Sequence, residues 1–218
     1  MIPVASAPEP PDFDQRVRQP GLRAIAELVG EQSLPPRRGR KRAPIAARRE
    51  DIPSEKFPPY WRVVLPEMLT AYNRLCAYLG LYIEYATGNP SVDHVIPKSR
   101  SWQQIYEWSN YRLAAARINA RKSDLNLVLD PFTITDGLFA LEFVAFQVKP
   151  GPMSGGMETE VIDTVDVLGL NDQECCRARE AYFDCYNAGR ISLDHLEERA
   201  PFVAREMRRQ QLLRPGDR

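Results

Sequence analysis

An Asp-His pair and two asparagines stand out in this sequence as side chains able to hold a cation and move a proton. Asp93 and His94 stand in the run VDHVIPKS. Asn110 follows His94 by sixteen residues and Asn119 by twenty-five, with Arg117, Arg121 and Lys122 crowding the second asparagine. Phosphodiester hydrolysis asks for these types. A water must lose a proton near neutral pH, and a neutral imidazole is suited to take it. The crowded phosphate and the leaving oxygen need a hard cation, which prefers oxygen ligands. Asp93 offers a carboxylate and Asn119 a carboxamide oxygen. Together they place one negative charge on a divalent ion and leave it attractive to phosphate.

The elements that must position these groups follow from pattern. Residues 91–96 read as an extended run after the turn 87–90, and Pro97 ends its hydrogen bonding. Neighbouring strand residues point to opposite faces, so Asp93 and His94 must sit where the strand ends or bulges. Residues 111–116 read as a short strand and 117–123 as a helix. Asn110, just before that strand, is placed to hydrogen-bond across the loop and hold the His94 backbone. Asn119, on the helix, brings its oxygen back towards Asp93. The chain carries its own control in Asp194-His195, which lies two residues after Ser192 with no asparagine following it. That pair reads as helix-start chemistry, with Asp194 favoured by the helix dipole.

Around the motif, Leu65, Met68, Leu69, Tyr72, Leu75, Cys76 and Leu79 recur at helical spacing, with Pro66 in the first turn and Gly80 as the stop. Residues 81–86 read as a strand and 138–148 as a buried strand. The last stretch reads as helices over 160–168, 172–188 capped by Asn171, and 192–214 begun by Ser192. Three regions result: a proline-rich basic arm over 1–56 with one short helix through Leu22, Ile25, Leu28 and Val29; a globular domain over 57–150; and a helical region over 151–218 packed on it.

The pattern resembles the HNH endonuclease motif, in which a DH pair, a middle Asn and an Asn followed by basic residues span one ββα unit. The corresponding runs here are VDHVIPKS, WSNYRL and INARKSD, and their spacing is similar to that of the HNH nicking domain of large CRISPR effectors. The resemblance implies an α+β fold with a ββα-metal core embedded in a mainly helical protein. It implies His94 as general base, Asp93 and Asn119 as ligands of Mg²⁺ (or Mn²⁺), and Asn110 as the residue that fixes the His94 loop. Many HNH proteins also carry two CxxC pairs around a zinc. Here Cys76 stands alone in CAYL and Ile118 precedes the last Asn, so no structural zinc is expected. The run DTVDVLGLNDQECCRARE is similar to HNH proteins associated with retrons and with the Septu type of anti-phage system. That similarity implies an effector working beside an ATPase or sensor in bacterial defence.

Composition bounds the partners. Lys+Arg and Asp+Glu balance at 29 each, so net charge does not point to a polyanion, but its distribution does. Residues 37–49 carry seven basic residues and no acidic one. The expected nucleic-acid contacts are Lys98, Arg117, Arg121 and Lys122, with Arg38, Arg40, Lys41 and Arg42 of the arm. No stretch approaches the ~20 apolar residues that span a bilayer, and the proline-rich N-terminus does not read as a signal peptide. The four cysteines form no CxxC pair, which suits reduced thiols. The expectation is a cytoplasmic, magnesium-dependent DNA endonuclease with no membrane partner. The same residues admit an RNA-cleaving nuclease, or a non-catalytic nucleic-acid-binding or assembly subunit using the fold as scaffold.

Overall fold

The computed structural model describes residues 1–32, 39–125 and 127–217. The architecture is mixed: small antiparallel sheets enclosed by helices. The N-terminal segment is built into the core rather than held as an arm. A π-helical turn (Asp14–Arg18) runs into helix α1 (Gln19–Leu28). Phe13, Val17 and Ile25 are fully buried, as an amphipathic helix with an apolar stripe requires. Gly21 lets α1 approach the Tyr106 ring, because a Cβ there would lie 2.2 Å from Tyr106 Cδ2. Upstream, Val4 N donates to Pro131 O at 2.9 Å and Trp108 Nε1 to Ala7 O at 2.8 Å. These long-range bonds explain why a polar, proline-rich segment is fixed.

Helix α2 (Leu65–Ala71) is shorter than its periodicity predicts. The chain leaves the helix through Asn73 and Arg74, both left-handed at φ 49° and 57°. Leu75 and Tyr82 then pair as an isolated bridge where a strand over 81–86 is expected. Cys76 and Leu79 keep the spacing of a buried helical face while lying in a turn against the segment through Leu113, with Ala77 N donating to Leu113 O at 2.8 Å.

Strand β1 (Pro90–His94) pairs antiparallel with β2 (Tyr111–Ala115), with Asp93 opposite Arg112 and His94 opposite Tyr111. Helix α3 (Ala116–Lys122) follows β2 without a break and packs on both strands. Ile118, at 0 % exposure, is its inward anchor. The hairpin is also pinned by Arg112, whose Nε and Nη2 reach Asp130 at 2.7 and 2.6 Å in a fork-to-fork pair.

The apolar run 138–148 is a hairpin rather than one strand: β3 (Phe139–Leu141) pairs with β4 (Val148–Pro150). Glu142 accepts from the amides of Val144, Ala145 and Gln147, closing the turn and leaving Val144 94 % exposed. Helix α4 (Glu158–Leu168) packs against α3 and β4 and ends on Gly169 at φ +60°. Asp172, not Asn171, stands at the N-cap position of helix α5 (Gln173–Asn187), and its side chain makes no capping bond. Asn171 instead brackets Val148, accepting from its N–H at 2.7 Å and donating to its carbonyl at 2.9 Å. The predicted helix 192–214 is two helices, α6 (Leu193–Arg199) and α7 (Pro201–Arg209). Pro201 cannot continue a helix but suits the first position of a new one. Ser192 caps α6 as expected, its Oγ accepting from His195 N at 3.2 Å. No helix among the described residues is long and apolar enough to cross a membrane.

Candidate functional site

His94 is the last residue of β1, so its side chain leaves the sheet where the pleat ends. It is 7 % exposed, packed edge-on between Trp61 (ring centroids 4.8 Å) and Tyr111 (5.1 Å). Its Nε2 lies 3.0 Å from Ile105 O. A carbonyl only accepts, so Nε2 carries the proton and Nδ1 keeps the lone pair. Burial pushes the imidazole down to a pKa of about 3, against the raising effect of that carbonyl. The ring is therefore neutral throughout the physiological range.

Asp93 points away from His94, as strand alternation requires, and is 2 % exposed. Tyr78 donates to its Oδ2 at 2.5 Å and Lys122 Nζ to its Oδ1 at 3.2 Å. Burial and the neighbouring carboxylate hold the Tyr78 phenol well above its usual pKa. Lys122 also donates to His94 O at 2.6 Å. It is 1 % exposed and internal, not a surface contact for a polyanion as its place in a basic run predicts. Helical spacing explains this: Lys122 is one turn beyond Ile118, on the face that α3 turns to the strands.

Asn119 Nδ2 donates to Val92 O at 3.1 Å and to Ser91 Oγ at 3.2 Å. Both donors of the amide being aimed at β1, Oδ1 is its remaining acceptor. Asn110 is 3 % exposed and clamps the loop after His94. Its Oδ1 accepts from Ile96 N at 2.7 Å, and its Nδ2 donates to Ile96 O at 3.1 Å and Gln104 O at 2.9 Å. It thus holds the loop that delivers the Ile105 carbonyl to His94.

Asp93, His94 and Asn119 open together onto one cleft of about 360 Å³, which Trp61, Lys98 and Asp124 also line. All three residues line it, with the Asp93 and His94 side chains leaving the strand on opposite sides and both Asp93 oxygens held by Tyr78 and Lys122. Lys98 reaches this cleft over the Trp61 ring (Nζ to centroid 4.9 Å), and burial lowers its pKa. Ser123, at φ +45°, turns the chain out of α3 beside Asp124.

The other basic residues are placed differently. Arg117 Nη2 bonds Asp172 and Glu174, each at 2.8 Å, and Arg121 Nη2 bonds Asp172 at 2.5 Å. These pairs tie α3 to the α4–α5 turn, so both arginines are locally neutralised. The run Asp163–Glu180 is, in structure, a capped turn between helices that receives this pair. Arg42 anchors to the body, its N–H reaching Glu27 at 3.2 Å and its Nη2 reaching Tyr60 OH at 3.3 Å. Arg40 and Lys41 are exposed, and Arg38 lies outside the described residues.

Sequence reasoning missed Trp61, Tyr78 and the internal role of Lys122. No motif marks the first two; for Lys122 the signal was its turn-spacing from Ile118. Among the described residues no three His, Cys, Asp or Glu side chains gather into a metal-holding group. No protein-family model matches the chain, and no curated protein is significantly similar to it.

Proposed function

We propose that this protein is an HNH-type, divalent-cation-dependent endonuclease that hydrolyses DNA phosphodiester bonds. The observation that carries the reading is the pairing of a neutral, tautomer-fixed His94 with Asp93 and Asn119 on one cleft, in the strand–strand–helix order of the motif. His94 Nδ1 accepts a proton from water, the water oxygen attacks phosphorus, and one P–O ester bond breaks as its electrons leave on oxygen. A base with a pKa of about 3 is weak when the cleft is empty. A phosphate entering the cleft stabilises the imidazolium and strengthens it at the moment of use. Asn110 keeps the base aimed through the 95–105 loop, and Lys98 supplies positive charge over Trp61.

The donor set fits a hard cation. Each carboxylate oxygen has two lone pairs, and Tyr78 and Lys122 take one on each oxygen of Asp93. Asp93 and the Asn119 carboxamide oxygen would hold Mg²⁺ or Mn²⁺, whose remaining positions suit water and phosphate oxygens. When bound, the ion supplies Lewis-acid stabilisation of charge on the phosphate and the leaving oxygen.

One observation favours a second reading. Lys122 already neutralises Asp93, as it would in a nucleic-acid-binding subunit that keeps the fold as scaffold. Plasmid nicking separates the two. The nuclease reading expects cleavage with Mg²⁺, none with EDTA, and an Asp93→Asn defect partly relieved by excess Mg²⁺. Binding without cleavage under all metal conditions supports the scaffold instead, and preferential cutting of an RNA would move the substrate. A place beside an ATPase or sensor in anti-phage defence rests on the resemblance of the Asp163–Glu180 run, and a cytoplasmic location on the unpaired cysteines and the proline-rich N-terminus.

A further inference from the structure

A second cleft of about 310 Å³ adjoins the first, and Lys98 lines both. Its wall carries Arg49, Lys98 and Arg100 against a single carboxylate, Glu50. Glu50 is already paired with Arg48 at 3.6 Å. The Arg49 guanidinium lies 4.8 Å over the half-buried Trp102 ring and is held there by an ion pair with Glu31. Arg100 is exposed and has no acidic partner among the described residues. The Pro97–Ser101 turn positions it, with Arg100 N donating to Pro97 O at 2.9 Å. Cations beside an aromatic face are what a nucleotide's phosphate and base require. Of the expected DNA contacts, Lys122 is internal and the exposed Arg117 and Arg121 are paired with Asp172 and Glu174, whereas this basic surface shares Lys98 with the His94 cleft.

We infer that the Arg49–Arg100–Trp102 cleft seats a nucleotide flanking the scissile phosphate, with Arg100 as its backbone-phosphate contact and Lys98 as the bridge between the two clefts. The inference rests on the nuclease reading and adds where the strand runs. It sends the strand from the catalytic cleft towards Trp102 and away from the paired arginines of α3.

The test uses the full chain and a short fluorescent DNA duplex, with binding measured in EDTA over a salt series. Losing one phosphate contact lowers the salt slope by about 0.9 and, at 0.1 M salt, weakens binding about eightfold. Arg100→Ala should show both changes, Arg100→Lys should recover most of the loss, and Arg205→Ala, at a distant exposed pair with Asp136, should show neither. Single-turnover cleavage at saturating DNA should stay at the wild-type rate in Arg205→Ala. Wild-type affinity and slope in Arg100→Ala, while the wild type binds and cuts, overturn this inference alone. A wild type that neither binds nor cuts DNA overturns the nuclease reading and this inference with it. An unchanged thermal melt checks that each variant is folded.

Discussion

Replacing Lys122 by Met removes one member of a fully internal ion pair while keeping much of its volume. Both side chains are 2 % exposed, so water cannot take over the role of the ammonium. The substitution leaves Asp93 with only the Tyr78 hydroxyl, and strips the donor from His94 O. Breaking a buried pair by deleting one partner costs roughly 3–5 kcal/mol, because an uncompensated charge stays behind. With a slope of about 1–3 kcal/mol/M in urea, taken near its upper end, the unfolding midpoint falls by roughly 1–2 M. The double variant Asp93→Asn/Lys122→Met removes both charges and should cost clearly less than the two single losses added together, since neutral replacement of a whole pair is often nearly free. Urea unfolding of the four proteins in EDTA measures the cycle. A Lys122→Met loss below about 1 kcal/mol, or strict additivity, would refute the idea that Lys122 is the internal counter-charge of Asp93.

Two further outcomes follow from the geometry. His94 has its folded pKa lowered to about 3 from 6.5, so the folded state binds fewer protons than the unfolded chain between those values. Its contribution is complete above about pH 6.5 and is lost as pH falls towards 3, on the order of 5 kcal/mol in all. His94→Gln should flatten that part of the stability–pH curve in EDTA, and a difference curve flat across the window would contradict the assignment. Asn110→Ala removes three hydrogen bonds and leaves the Ile96 N–H without its acceptor. The cost should be about 1–3 kcal/mol, with faster hydrogen exchange at Ile96; unchanged protection there would mean the loop does not depend on the clamp.

The short-range grammar around the motif was legible. The turn before residue 91, Pro97 after the strand and the helix through Asn119 placed β1, β2 and α3 to within two residues, and the loop role of Asn110 followed from its position before β2. Periodicity was less reliable where two structures share a spacing. Leu75, Cys76 and Leu79 keep a helical repeat, yet left-handed Asn73 and Arg74 turn them into a bridge and a loop. The apolar run 138–148 conceals a hairpin, since Glu142 closes the turn through backbone amides that composition does not reveal. Charge was legible as composition but not as availability. Whether a lysine or arginine meets solvent or an acid depends on distant partners: Asp93 for Lys122, Asp172 and Glu174 for Arg117. Tyr78 and Trp61 carry no motif, and their roles come from the tertiary approach that the N-terminal segment and the 72–83 turn impose.

The proposed nuclease activity stands on His94 Nδ1 as the base that activates water on this cleft. Single-turnover cleavage of a DNA duplex by wild type and His94→Ala, both saturated with DNA and Mg²⁺, tests it most directly. The expected loss is on the order of 10²–10⁴ in rate, with DNA affinity and Mg²⁺ dependence close to wild type. A His94→Ala protein that is folded, binds DNA and cuts at the wild-type rate would contradict it.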